Sequence, residues 1–411
     1  MSGKPALPKA FRRVWVASGV SAFGDGIYVT ALPLVAAGVT RDPVVISVVA
    51  AASRLPWLFF GLVGGALVDR WDRRRTMWMS DAARAALLVA ASGAVSLGLI
   101  DVPLLVVVAF LLCIGQILFD TAAAAYLPEV LQRDPALLQS ANARLQSTQT
   151  AAHGFLGPPA GAALFFLSRA APFVADALSF LLSALVIRSL PRTPPKSRTA
   201  KGSLLADARA GAVHLFRDPL LLGLALRPAF GNLAFSAGTA VFVLFAQEEL
   251  GLGPVGYGFL LTSEAVGGLL GAVAAGWFRD RMGTGGALIL GAVVLTGSQF
   301  ALGMCTAPLP AAAAMTFRAA AFGLTMVLGP SIRQAVVPDA LMGRVSAAAR
   351  LMAVAPTPLG ALLGGYLATV AGLHAPYLIG AALLAVATLV TAPMTTNRRI
   401  EAALTKAAAA G

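Results

Sequence analysis

The chain is predicted to be an all-α polytopic membrane protein, with twelve transmembrane helices arranged as two pseudo-symmetric six-helix halves. Three observations carry that prediction. Of its 411 residues, 58% are hydrophobic and 12% charged, where an average globular domain has roughly a quarter charged residues. Its apolar runs are about twenty residues long, the length that crosses a hydrocarbon core about 30 Å thick. A charged turn, Gly65-Ala66-Leu67-Val68-Asp69-Arg70-Trp71-Asp72-Arg73-Arg74-Arg75, closes one run and returns as Gly276-Trp277-Phe278-Arg279-Asp280-Arg281-Met282-Gly283. Asp69 and Asp280 lie 211 positions apart, close to half the chain, so the halves read as a duplication.

Taken in order, the first half is expected to span at 14–37, 44–68, 76–99, 103–126, 145–167 and 171–190. The second is expected at 219–247, 255–278, 285–306, 309–333, 346–371 and 375–394. This divides the chain into an N-terminal half (1–190), a cytoplasmic linker (191–218), a C-terminal half (219–395) and a cytoplasmic tail (396–411). The linker opens P-R-T-P-P-K-S-R-T-A-K-G-S and continues into Leu204–Phe216, which fits an amphipathic helix on the inner membrane surface. It reads as a solvated tether, with contact to anionic lipid as the alternative.

The net charge of +13 is not a nucleic-acid footprint, because the chain has only five lysines and its arginines fall in short gaps between apolar runs. Those gaps alternate with charge-poor turns, and only Arg41 and Arg169 fall on the other side. Positive-inside bias then places both termini in the cytoplasm, and the alanine- and arginine-rich, lysine-poor composition points to a bacterial inner membrane. Lys4, Lys9, Arg12 and Arg13 precede a run with no small-residue cleavage site, so that run is expected to be a retained first span. Cys113 and Cys305 lie within apolar runs and outline no disulfide framework. A monomer in contact with membrane lipids is expected.

No G-xxxx-G-K-[ST], H-E-xx-H, C-xx-C or G-x-S-x-G occurs in the chain. The expectation is a secondary transporter rather than an enzyme, with no metal or cofactor, a small-molecule substrate, and protons as the energy source. One proton moving down 100 mV supplies about 2.3 kcal/mol, a gradient of a little under fifty-fold.

Charges inside spans are costly to insert and mark candidate sites. Asp25 is about eleven residues into the first span and Arg54 about ten into the second, so at 1.5 Å per residue both lie near the midplane. An Asp25–Arg54 pair is either a proton carrier whose partner changes between states or a static ion pair. Glu264, in the eighth span, either faces a dry cavity and carries protons or pairs with Arg318 of the tenth. Asp81 and Arg84 share a helix face and are assigned to the cytoplasmic seam. Asp120 is placed within reach of the Arg73 cluster, and Asp176 in the outer third of the sixth span. Arg227 and Asn232 of the seventh span follow the same logic. His153 reads as a packed residue.

The six-linker-six pattern and its two charged turns resemble the major facilitator superfamily over nearly the whole chain. Gly65-xxx-Asp69-Arg70-xx-Arg73-Arg74 is similar to the superfamily signature between helices two and three, and Gly276-xxx-Asp280-Arg281-x-Gly283 to its second copy. Asp72 replaces a usual glycine. With Ser80-Asp81, Arg84, Phe23-Gly24-Asp25-Gly26 and Leu32-Pro33-Leu34, this variant is similar to the macrolide-efflux-type branch of drug:proton antiporters. Gly157-Pro158-Pro159-Ala160-Gly161-Ala162 is similar to the antiporter helix-five signature, with Ala162 where a second glycine is usual. The arginine-containing helix-four signature is missing, since no arginine occurs in Val102–Tyr126.

The resemblance implies a conformational latch built from Gly65, Asp69, Arg70, Arg73, Arg74, Asp280 and Arg281. It also implies export of a hydrophobic or amphiphilic small molecule. Export of an endogenous siderophore, peptide or lipid-like compound is the alternative, and a non-transporting scaffold or sensor is the rival from another class.

Overall fold

The computed structural model describes residues 7–60, 71–191 and 204–410, all helices and connections with no strand among them. Nine of the described helices are long and apolar enough to cross a membrane, by length and composition. The first half contains α1 (Lys9–Val39), α2 (Pro43–Ala52, continuing toward Phe60), α3 (Arg73–Ser96) and α4 (Val102–Val130). Its fifth span is assembled from α5 (Pro135–Gln149), a π-helical segment (Thr150–Leu156) and α6 (Gly157–Leu167), and its sixth is α7 (Ala171–Arg188). The linker contributes α8 (Leu204–Arg217). The second half follows with α9 (Pro219–Leu244), α10 (Pro254–Gly303), α11 (Pro308–Val336), α12 (Asp339–Val354), α13 (Pro356–Ala371), α14 (Ala375–Thr391) and the terminal α15 (Asn397–Ala410).

At fifty residues α10 is about 75 Å long, more than twice a bilayer core. It is two spans, because Gly283 inside it has φ 77° and ψ 164°. That left-handed φ is what the glycine of the second charged turn supplies. Counted as two, and with the polar α3 and the composite fifth span added, the helices fit the expected twelve.

Aspartates start several of these helices. Asp72 accepts from the Arg75 amide at 2.8 Å, Asp101 from Leu104 at 2.9 Å, Asp134 from Ala136 at 2.8 Å and Asp218 from Leu220 at 2.8 Å. A side-chain oxygen at this position satisfies amides that the first turn leaves without partners, worth about 1 kcal/mol each. Asp72, which departs from the superfamily signature, is therefore the N-cap of α3.

The described residues group into two compact units. Most of the first half forms one and most of the second half the other, but Asp42–Ala51 belongs to the second unit and Gly253–Thr262 to the first. Residue 42 plus 211 is 253 and 51 plus 211 is 262, so the exchanged segments are equivalents under the offset that separates the two charged turns. In the second unit, buried Ser47 meets Gly365 of α13, where an added Cβ would lie 2.2 Å from its Oγ. Ala51, Ala240 and Ala361 close the same contact. In the first unit, Gly258 lies against Pro158 and Ala162, where a Cβ would be 2.7 Å from the Pro158 carbonyl oxygen.

The first unit has α1 and α3 packed on α7. Val14, Met77, Phe119, Tyr126 and Ile187 fill the space among α1, α3, α4 and α7. Against the opposite side of α1, small residues let backbones touch. A Cβ on Gly157 would lie 2.5 Å from Gly26 Cα, and one on Gly161 would lie 2.6 Å from the Ile27 carbonyl oxygen. Gly161→Leu is therefore expected to destabilise the first unit by about 3 kcal/mol through overpacking. A Cβ on Gly93 would meet nothing within 4 Å, so Gly93→Ala should behave as wild type. Thermal unfolding of the two variants in detergent checks the contrast.

In the second unit, α8 docks on α12. Its Leu215 packs with Leu221, Val345 and Ala349, and its Gly211 lies against the Arg344 carbonyl. The turn at Gly283 is tied to the start of α15. Asn397 Oδ1 accepts from the amides of Gly285 (2.7 Å) and Gly286 (3.3 Å), while its Nδ2 donates to the Met282 carbonyl (2.8 Å). Asn397→Ala removes all three bonds and is expected to cost about 1–2 kcal/mol, measurable as a lowered unfolding midpoint.

Candidate transport site

Gly65, Asp69 and Arg70, the core of the expected latch, lie outside the described residues, as does the proline-rich part of the linker. Within the described residues the buried charges of the first unit converge on Arg84. It is eleven residues into α3, about 16 Å along the helix, so the Asp81–Arg84 pair belongs to mid-span rather than to the cytoplasmic seam. The guanidinium donates to Asp81 and to Gln116 Oε1. It lies 3.9 Å from the Phe180 ring centre and 3.7 Å from Asp25 Oδ1. Gly115 makes room for it, since a Cβ there would be 2.7 Å from Arg84 Cγ.

Two further carboxylates complete the cluster. Asp176, buried, accepts from Ser179 Oγ at 3.1 Å and packs against Gly24, next to Asp25. Asp120 accepts from Gln116 Nε2 through both oxygens at 3.1 Å, so Gln116 bridges it to Arg84. Asp25, Asp81, Asp120 and Asp176 therefore surround one arginine. Their exposures differ: Asp81 is 0% and Arg84 2% exposed, whereas Asp25 is 25% exposed.

One expected partner changes. Asp25 pairs with Arg84 and not with Arg54, whose electrostatic neighbours are Cys113 and His153. Arg54 faces α4 and the π segment. Arg73 itself pairs with Glu129 and donates to the Ala125 carbonyl at 3.4 Å. His153 is packed by its backbone against Gly26, and its π-helical setting is the sort of irregularity that clusters at functional sites.

The second unit has a smaller counterpart. Arg318 pairs with Glu264, donates to Gln299 Oε1 at 3.2 Å and lies 4.9 Å from the Phe235 ring centre. Asn232 Nδ2 donates to the Ala353 carbonyl at 2.8 Å and so holds the break between α12 and α13. Arg227 donates to the hydroxyls of Thr391 (3.0 Å) and Thr395 (2.7 Å). In the second charged turn, Asp280 pairs with the adjacent Arg279 at 2.8 Å, both more than half exposed, and Arg281 lies 5.2 Å from the Trp277 ring centre. Such an exposed pair contributes at most about 1 kcal/mol; Asn397 is what holds this turn.

Among the described residues no group of three or more His, Cys, Asp or Glu has the arrangement of a metal site. The sequence profile of the transmembrane secretion effector family matches residues 3–408. The chain belongs to that family of the major facilitator superfamily. This major facilitator chain is 28% identical over 388 residues to the uncharacterized MFS-type transporter YfiS of Bacillus subtilis, covering 90% of each. It is 28% identical over 366 residues to the multidrug efflux pump Tap of Mycolicibacterium fortuitum, covering 86% of this chain and 88% of that one. Its fold matches a bacterial homologue of the iron transporter ferroportin in an inward-facing state, with TM-score 0.77 and 14% identity over 95% of this chain and all of the other. It also matches the nucleoside transporter NupG, with TM-score 0.69 and 17% identity over 94% and 99%. The major facilitator chain is thus an integral membrane transporter.

Arg84, Gln116 and Asn397 were not singled out as centres by their sequence context. For Arg84 a signal existed: a carboxylate and an arginine three apart, well inside a span.

Proposed function

We propose that the protein exports a hydrophobic or amphiphilic small molecule across the bacterial inner membrane in exchange for protons, and that Asp25 carries the proton. The observation that carries this reading is the charge imbalance around Arg84. Among the described residues the Arg84 guanidinium faces three carboxylates, Asp25, Asp81 and Asp176. In a medium where an uncompensated charge costs at least about 2.5–3.5 kcal/mol, a proton is the least costly second counter-charge.

Geometry selects Asp25 among the four carboxylates of the cluster. Asp81 is fully buried in a direct bond to Arg84, the arrangement of a permanent ion pair. Asp176 and Asp120 are engaged by Ser179 and Gln116. Asp25 is held loosely, 3.7 Å from Arg84, and is one-quarter exposed. A carboxylate that can move between a proton and an arginine has the two states that coupling requires. Glu264, matched one to one with Arg318, needs no proton for neutrality and is assigned to structure. The similarity to the efflux pump Tap supports the export direction.

In this account the two six-helix halves alternate access about a midplane site, with Gly65, Asp69, Arg70, Arg73 and Arg74 as the cytoplasmic latch. The test is accumulation of a panel of fluorescent amphiphiles in an efflux-deficient bacterial host, with and without the chain and with and without a protonophore. Accumulation lowered by the chain and restored by the protonophore is the expected result. Lowered accumulation that survives the protonophore would exclude proton coupling.

A further inference from the structure

The second unit contains a cavity of about 330 Å³ among α9, the second span of α10, α11, α12 and α14. Its position follows from the duplication. Asp81 and Arg84 of the first half correspond, 211 residues on, to Ala292 and Leu295, and both line this cavity. The register holds here because Asp72, the cap of α3, corresponds to Gly283, the break before the equivalent span. Where the first half is filled by a buried ion network, the second is left with a space walled by small and apolar side chains.

That space is cationic at its polar points. Arg227 and Arg333 line it, and among the described residues no aspartate or glutamate does. The Arg227 guanidinium is oriented by Thr391 and Thr395, whose own hydroxyl protons go to the Ala387 and Thr391 carbonyls, so both accept from the arginine. Its third nitrogen, Nη1, is buried and has no hydrogen-bond partner among the described residues, and neither does Arg333 Nε. Buried donors without acceptors are costly, and guanidiniums bind carboxylate, sulfate and phosphate groups through paired hydrogen bonds. Leu224, Leu288, Phe322 and Met326 supply the apolar remainder.

We infer that this cavity binds an anionic amphiphile, its acidic head on Arg227 and Arg333 and its apolar body against α10 and α11. The binding stands on the second unit alone; that the occupant is cargo rests on the transport reading. An anion leaving as a proton enters would move two charges per cycle, doubling the electrical driving force of a one-proton exchange with a neutral cargo.

The experiment measures binding of dansyl-undecanoate and of its neutral amide to the purified full-length chain in phosphatidylcholine nanodiscs, with no gradient present. Wild type should prefer the carboxylate by about tenfold or more. Arg227→Gln/Arg333→Gln should lose that preference and leave amide binding within about twofold. Ala292→Leu, which fills the cavity and keeps its charge, should weaken both probes. Competition by phosphatidylglycerol would identify a lipid headgroup as the source of the anion, and retained preference without competition would identify a free amphiphile. Equal binding of acid and amide by wild type, or full acid binding by Ala292→Leu, would overturn the inference. Neither result depends on proton coupling, so the failure of one reading is distinct from that of the other.

Discussion

Changing Asp25 to asparagine is expected to abolish uphill export while leaving folded protein in the membrane. The substitution keeps size and polarity and removes only the ability to exchange a proton for Arg84. Asp25 is 3.7 Å from Arg84, which keeps Asp81 as its direct partner, so the variant should remain folded. The functional change is large. Without coupling, a gradient of up to about fifty-fold per proton at 100 mV falls to equality. Exchange of labelled for unlabelled substrate needs no net proton movement, and it should persist in Asp25→Asn proteoliposomes. Loss of exchange as well would point to a binding defect instead.

The second large effect concerns the same arginine and is structural. Arg84→Gln leaves Asp81, at 0% exposure, without its counter-charge, and breaking one side of a buried pair costs about 3–5 kcal/mol. It also removes the guanidinium stacked on Phe180 at 3.9 Å and the bond that orients Gln116 toward Asp120. Asp81→Asn/Arg84→Gln should be more stable than Arg84→Gln alone, because the uncompensated carboxylate is gone. A double-mutant cycle of unfolding midpoints in detergent measures this coupling. A strictly additive cycle would mean that the pair is not an energetic unit. If so, the contrast between a fixed Asp81 and a mobile Asp25 would lose its basis.

Much of the architecture was legible because it is written in one dimension. Run length identifies spans, and the charged turn reports the duplication by its 211-residue offset; the same offset relates the exchanged segments 42–51 and 253–262. Depth along a helix is also one-dimensional, and Asp25 and Glu264 were found as in-span charges in this way. Azimuth is not. Arg54 and Arg84 both lie about ten residues inside their spans, and only the packing of α3 against α7 turns Arg84 toward Asp25. Small residues also blur faces: Gly24 and Gly115 create the space for Asp176 and Arg84 while carrying no signal of their own.

The capping aspartates carry a signal in the sequence itself. Asp134-Pro135 and Asp218-Pro219 are helix starts by the pairing of an N-cap with proline in the first turn. Recognising them separates capping carboxylates from those that gather around Arg84. Asn397 had no such signal, because its role depends on α15 returning to the Gly283 turn, more than a hundred residues earlier in the chain.

The central claim is that Asp25 takes the proton, and the most direct measurement follows proton movement itself. Proteoliposomes carrying an entrapped pH-sensitive dye would be given an outward substrate gradient with no imposed pH gradient. Wild type should acidify the lumen in step with substrate efflux, and collapse of the substrate gradient should stop the change; alkalinisation would mean symport. Asp25→Asn should move substrate down its gradient with no change in luminal pH. Equal, substrate-dependent proton movement by wild type and Asp25→Asn would contradict the account.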